Sequence, residues 1–440
     1  MDGKALRGKL PRRSHARWKR STSQPSPIET LRASDAKRMP ELVPVRYGRM
    51  LQSPFAFYRG SAAIMAADLA NTPSTGILVQ ACGDCHLMNF GAFATPERNI
   101  VFDINDFDET YPAPWEWDVK RLAASFVLAA RSNGYSGVAS KIAQTSVRAY
   151  RKWMRKYAHM HPLDAYYAKI GVAEFLALAP PRDRARIRKR VERVSAKRGH
   201  DVAYPKLTHV RDGTPRLRDN PPLIFHPEQS KEKGFDATVS ATIAQYRETL
   251  SDERRILLDR YRFVDAAIKV VGIGSVGTQC WVALLMSASD EPLLLQFKEA
   301  NDSVLAAYAG EGAYSHNGQR VVAGQRMMQT ASDIFLGWMT GPDGRHFYGR
   351  QLRDAKMSAP VDAFDEAALQ TYARACGWCL ARAHARSGDA EAIATYLGSG
   401  PQFDEAASAF AEAYADQAER DHAALKAAVR AGHVEIAVQQ

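Results

Sequence analysis

Apolar positions along the chain change period several times, and each change predicts an element. Recurrence every three to four residues predicts helix. It runs over 53–70 (SPFAFYRGSAAIMAADLA), opening at Ser53-Pro54, a favoured helix start. It returns over 117–134 (WDVKRLAASFVLAARSNG), apolar enough for a buried helix and stopped by Asn133-Gly134. More helix follows to about 160, then again at 318–332 (GQRVVAGQRMMQTAS) and from 364 onward, with one break at 398–402 (GSGPQ). Short apolar runs predict strands at 76–82 (GILVQAC), at 99–104 (NIVFDI) and at 292–300 (PLLLQFKEA). The stretch FVDAAIKVVGIGSVGTQCWVALLM reads strand, Gly-rich turn, strand, and hairpins are expected about RDGTP (211–215) and about Gly341-Pro342-Asp343-Gly344. There are no internal repeats.

Composition narrows the class. The chain has 440 residues, 46% hydrophobic and 24% charged, which is ordinary globular composition with enough length for more than one core. No apolar run approaches the roughly 18 residues a bilayer span needs. The basic N-terminus lacks the apolar stretch of a secretory signal, so a soluble cytoplasmic protein is expected. The net charge of +11 is concentrated in residues 4–20 and in RDRARIRKRVERVSAKR (182–198). These are read as a loose basic tail, residues 1–28, and a solvated helix face. Contact with nucleic acid or anionic lipid is the sharper alternative. Trp18 is the one aromatic in the two runs, which disfavours a stacking surface for single strands. Five cysteines, an odd number, argue for reduced thiols. Two pairs, Cys82/Cys85 and Cys376/Cys379, have the CxxC spacing of a zinc site, but the second lies in a predicted helix where both suit a core.

The candidate chemistry lies in two places. In ACGDCHLMNFGAF (81–93), Asp84, His86 and Asn89 follow a predicted strand, and VFDINDFDE (101–109) soon adds Asp103, Asp106 and Asp108. Phosphoryl transfer needs an Asp at the acceptor hydroxyl, and an Asn and a second Asp to hold Mg2+. The second place is GIGSVG, with Gly272, Gly274, Ser275 and Gly277, where a Gly-rich turn between strands lets backbone N–H groups approach phosphates. A further strand then ends in Lys298. Arg59 could meet a phosphate or brace an acid, and bracing is the expectation. His384 and Asp389 fall at a helix end, where the dipole alone favours a cation.

Together these motifs resemble the protein-kinase-like superfamily. The first loop is similar to the H-G-D-x-H-x-x-N loop of aminoglycoside and choline kinases, with Cys82 where those enzymes carry the first His. NDFDE resembles their metal-binding segment. WEWDVKRLAAS resembles the helix whose Asp, here Asp118, braces the catalytic loop. At whole-chain level the phrases RMLQSPFAFYRG, CGDCHLMNFG, NDFDET, GIGSVGT, LLLQFKEA, GQRMMQTASDIFLGW, YGRQLRD and LARAHARSGD resemble an uncharacterised bacterial family, domain of unknown function 2252.

The kinase resemblance implies a two-lobed α+β fold in circularly permuted order. A catalytic-loop region would occupy 29–260, a Gly-loop β-region 261–356, and C-terminal helices 357–440. It implies ATP and Mg2+ as cofactors and a small-molecule or protein hydroxyl as acceptor. Asp84 would orient or deprotonate that acceptor, with His86 beside it. Asn89 and Asp106 would hold Mg2+, with Asp103 or Asp108 in support. Gly272 to Gly277 would cover the phosphates, Lys298 would neutralise them, and backbone groups around Gln351 to Arg353 would edge the adenine pocket. The Glu partner kinases give the strand Lys is missing, with Glu311 the nearest candidate. AMP transfer, a non-catalytic nucleotide-binding regulator, and a basic nucleic-acid-binding protein with a merely structural Asp-rich loop stand as alternatives.

Overall fold

The computed structural model describes residues 2–195, 199–352 and 356–437. The fold is mixed α and β. Helices α1 (Gly3–Lys9), α2 (Pro27–Asp35), α3 (Val43–Met50), α4 (Pro54–Gly60) and α5 (Ala62–Ala70) come first. The helix expected over 53–70 is therefore two helices, parted at Ser61, whose φ of −117° and ψ of 35° leave helical space.

Strands β1 (Leu78–Ala81) and β4 (Tyr111–Pro114) pair antiparallel, and β2 (Phe90–Ala94) pairs with β3 (Ile100–Ile104). Helix α6 (Trp115–Ser132) follows β4 directly and is buried from Trp115 to Ala130. It packs with α7 (Ala139–Ala158), and with α16 (Glu366–Ser387), α17 (Ala390–Leu397) and α18 (Gln402–Arg430) from the far end of the chain, around one large core. The C-terminal helices break at Gly388-Asp389 as well as at 398–402, because the Asp389 side chain caps α17 through the Ala392 N–H.

Between α7 and the second sheet lie α8 (Pro162–Tyr167), α9 (Val172–Leu178), α10 (Pro181–Ser195) and α11 (Gly199–Leu207), then the expected hairpin β5 (Thr208–Arg211) and β6 (Thr214–Leu217). Arg182 and Arg186 on α10 are largely exposed. Next come β7 (Ile224–Phe225), α12 (Phe235–Arg247) and α13 (Asp252–Leu258). The main sheet adds β8 (Tyr261–Lys269), β9 (Cys280–Ser287), β10 (Pro292–Glu299), β11 (Gly337–Thr340) and β12 (His346–Gln351). Its order is β11-β12-β10-β9-β8-β7, antiparallel throughout. Helices α14 (Ala306–Ala309) and α15 (Asn317–Met328) separate β10 from β11, and β13 (Met357–Ser358) pairs with β2.

Strand alternation divides β10 between two cores. Leu293, Leu295 and Phe297 face Tyr246 and Leu250, while Leu294 faces Ala203 and Leu217. Residues from 203 to 258 thus supply side chains to both faces of the sheet. The reason is that both sheet faces are apolar and recruit the preceding helices.

The N-terminal tail is not loose. Arg7 Nε and Arg12 Nη1 donate to the carbonyls of Tyr396 and Leu397 at 2.9 and 2.6 Å, where the C-terminus of α17 presents unsatisfied acceptors. His15 is buried against Tyr396, and Arg20 bridges the buried carboxylates of Asp68 and Asp421. The cations that suggest a solvated segment are its anchors. Among the described residues, no helix is long and apolar enough to cross a membrane.

Candidate functional site

The loop after β1 is held from below. Asp118, in the first turn of α6, is buried and must find donors. It accepts from Cys82 N at 2.6 Å, Gly83 N at 3.0 Å and His384 Nε2 at 3.1 Å. His384 sits at this brace and not in the cleft, its other ring nitrogen meeting Tyr150 at 2.9 Å. Gly83 has φ +83°, and a Cβ there would lie 2.2 Å from the Glu109 carbonyl. Only glycine fits this turn.

The turn presents Asp84. Its Oδ1 accepts from Arg121 Nε at 2.7 Å and also meets Nη2, while Arg121 donates to the Tyr58 carbonyl at 3.1 Å. Bracing of this acid therefore falls to Arg121 and not to Arg59. Asp84 Oδ2 stays open, with His86 Nε2 3.7 Å away. Burial pushes the His86 imidazole down to about 3, against the pull of Asp84, so it is neutral across the physiological range. Asn89 Nδ2 donates to the Asp84 carbonyl at 2.7 Å, which leaves Oδ1 as its uncommitted acceptor.

The four acidic residues after β2 have separate environments. Asp103 is fully buried and accepts from Arg382 Nη2 at 2.6 Å, Thr330 N at 2.7 Å and Cys379 Sγ at 3.1 Å. Asp103, read from the sequence as a possible support for a metal, faces α16, and its oxygens are taken. Asp106 is the open one, its side chain 37% exposed, with Lys298 Nζ 4.0 Å from Oδ1. Asp108 is held by Lys298 Nζ, by Tyr348 Oη at 2.5 Å and by Ser275 Oγ at 3.2 Å. Burial raises the Glu109 carboxyl to about 7, opposed by the Val304 N–H at 2.7 Å.

The sheet supplies the other wall. Lys298 on β10 lies opposite Tyr348 on β12 in the ladder, so the two share a face and meet one carboxylate. Burial alone would lower the Lys298 pKa, but Asp106 and Asp108 hold it well above its ordinary value. Among the described residues, Lys298 pairs with aspartates and with no glutamate. Glu299 instead accepts from Gln279 N at 2.8 Å, and α15 turns Arg320 towards this region, onto the carbonyls of Asp108, Thr110 and Asn301. The Gly-rich turn joins β8 to β9, with Gly272 and Gly277 at φ +66° and +90°. Met39 N donates to Gly277 O at 2.7 Å, and Arg38 and Arg49 donate to the carbonyls of Val276 and Gly272. The segment 38–49 thus backs the turn.

These parts enclose a cleft of about 430 Å3. Asp84, His86, Asn89, Asp106 and Asp108 line one side, and Gly272, Gly274 and Ser275 the other. Lys298 and Gly277 stand behind the wall, Lys298 covered by Asp108. Gln351 is elsewhere, its N–H on Asp333 Oδ2 at 3.2 Å, and Arg353 lies outside the described residues. The five cysteines are buried and free, and among the described residues no three His, Cys, Asp or Glu groups are placed to hold a metal without a ligand's help. Arg121 and Tyr348 complete the site without having been expected from the sequence. A clue to Arg121 was available: an arginine inside a buried helix, three residues after Asp118, requires a carboxylate.

A second cavity, about 360 Å3, lies behind β2 and β3 among Phe102, Phe175, Ile187 and Phe364.

No curated protein and no solved structure matches the chain. A family model described as "Uncharacterized protein conserved in bacteria (DUF2252)" matches residues 38–428, a span that takes in both walls of the cleft from Arg38 onward. The chain belongs to this DUF2252 family of bacterial proteins.

Proposed function

We propose that this protein is an ATP- and Mg2+-dependent phosphotransferase of circularly permuted kinase-like fold, acting on a hydroxyl of a small molecule or protein. The carrying observation is the cleft itself. An Asp/Asn loop and an acidic segment converge on a Gly-rich turn, although Lys298 and Asp108 meet across 190 residues of sequence. The sheet supports the reading as well. The Gly-rich turn joins β8 and β9, the Lys stands on the next strand, and a helix follows, as in kinases.

The residues present fit the cofactors. Asn89 Oδ1 and the open Asp106 carboxylate are hard oxygen donors, suited to a cation that also takes phosphate oxygens and water. Mg2+ bound there would offset the charge of the phosphates. The Gly272–Ser275 backbone would approach those phosphates closely. Asp84, fixed through Oδ1 by Arg121, would present Oδ2 to the acceptor hydroxyl and take its proton as the terminal phosphoryl passes to the hydroxyl oxygen and ADP leaves. Neutral His86 would pack beside it and not act as an acid.

A second reading is favoured by one observation: Arg121 already occupies Oδ1 of Asp84, which suits a nucleotide-binding regulator. Two measurements separate the readings. Mg2+-ATP at about 100 times its Kd should stabilise the chain by about 2.7 kcal/mol, read as a raised unfolding midpoint. Transfer of the γ-phosphoryl label, or its release to water, then marks an enzyme. Stabilisation without turnover marks a regulator, and no stabilisation ends both readings.

A further inference from the structure

Four cations line the cleft, and three are committed. Lys37 pairs with Asp302 at 2.9 Å. Arg46 pairs with Asp35 at 2.6 Å and donates to the Gly60 carbonyl. Arg38 reaches Asp35 at 3.7 Å and the Val276 carbonyl. Arg59 differs. Among the described residues it makes no ion pair; its guanidinium lies over the Phe55 ring at 6.0 Å, and its buried Nε, like those of Arg38 and Arg46, has no hydrogen-bond partner. Burial works against its charge, relieved only at longer range by Asp84 and Asp362. A half-buried guanidinium with no carboxylate partner carries a desolvation cost, and an anionic ligand would offset it. Its surroundings say which anion. The Arg59 carbonyl lies 3.3 Å from where a Gly274 Cβ would stand, so the residue abuts the Gly-rich turn. Of the two carboxylates that favour its charge, Asp84 has the larger effect. Next to Asp84 is a second buried, unpartnered atom, His86 Nδ1, on a side chain only 4% exposed.

We infer that Arg59 is the residue that grips the terminal phosphoryl group of the nucleotide, the group lying between the Gly-rich turn and Asp84. This rests on the phosphotransferase reading above and adds to it a named contact. Arginine suits the task, since its planar fork meets two phosphate oxygens at once. The prediction is selective: Arg59 touches the phosphoryl that ATP has and ADP lacks.

Mg2+-ATP and Mg2+-ADP affinities of the wild type and of Arg59→Gln, measured by titration calorimetry, test it. ATP should weaken about 10- to 100-fold, the cost of a charge-assisted contact, while ADP stays within about twofold, inside the context scatter of a near-neutral change. Arg59→Lys keeps the charge but not the fork. It should weaken ATP less, and it serves as the test should the Gln variant not fold. Equal losses for both nucleotides, or none for either, overturn the assignment to Arg59 while leaving the nucleotide site standing. A wild type that binds neither nucleotide overturns the phosphotransferase reading and this inference together.

Discussion

At the scale of single residues, Asp103 and Asp106 differ by three positions and by everything around them. Asp106→Asn should abolish the Mg2+-dependent part of nucleotide stabilisation and leave the unfolding midpoint without ligand nearly unchanged, because the side chain is open and shape is kept. Asp103→Asn should do the reverse. It leaves Arg382 buried beside a neutral amide, so a cost of about 3–5 kcal/mol is expected in denaturant melts. If Asp106→Asn unfolds the chain and Asp103→Asn erases the metal effect, the two roles are exchanged. Asp106 lies beyond the end of β3, so strand alternation does not decide which of the two acids faces the cleft. That depended on Arg382, 279 residues away and invisible to local pattern. Glu109 provides a pH signature. Its folded carboxyl titrates near 7 against an ordinary 4.5, so the folded chain holds this proton more tightly. Its contribution to stability is complete below about pH 4.5 and is lost as pH rises towards 7. Glu109→Gln should remove that decline from a plot of unfolding midpoint against pH. An unchanged slope in the variant means that Glu109 titrates normally.

At the scale of elements, local pattern was a good guide wherever burial is periodic. The hairpin at 208–217, the strand-turn-strand about GIGSVG and the buried helix α6 all follow from spacing and turn residues. It failed where one residue's backbone decides. In SPFAFYRGSAAIMAADLA the Gly60-Ser61 pair is the one hint of the break at Ser61, and apolar spacing runs straight through it. Gly83 shows the same dependence on backbone. Ala at this position meets both a φ of +83° and the Glu109 carbonyl, so it must shift the β1–β2 loop. Gly83→Ala should lower stability by about 2 kcal/mol, on the scale of strained backbone positions, and cost ligand binding beyond that, because Asp84 moves with the loop. Gly213→Ala is the control, as its φ is also positive but its Cβ would meet open space on the far hairpin. Equal effects of the two substitutions on nucleotide-induced stabilisation would show that the Gly83 turn does not position Asp84.

At the scale of the molecule, the two ends of the chain pack together. Helices α16 to α18 complete the core that α6 and α7 begin, and residues 2–20 close over α17 and α18. Sequence reading took the basic N-terminus as loose because charge without apolar period looks solvated. The missing information was a pair of carboxylates, Asp68 and Asp421, that are buried and lie far apart in the chain. Asp68 is 1% exposed in its side chain and Asp421 5%, and Arg20 is bidentate to the first and reaches both oxygens of the second. Tyr414 gives Asp68 one further donor at 2.9 Å. Removing Arg20 therefore leaves two buried negative charges side by side, with only the Tyr414 hydroxyl on Asp68 and the Gln417 amide on Asp421 as donors among the described residues, which is worse than losing a surface ion pair. Arg20→Ala should cost about 3–5 kcal/mol, and Arg20→Lys should recover only part, since an ammonium cannot serve both carboxylates in the fork geometry. The triple variant Arg20→Met, Asp68→Leu, Asp421→Leu should approach wild-type stability if the apolar side chains pack, because the charges that need pairing are gone. Chemical denaturation of the three proteins decides the matter. If Arg20→Ala melts within about 0.5 kcal/mol of the wild type, the range of ordinary surface substitutions, the N-terminal segment is not an anchored part of the fold.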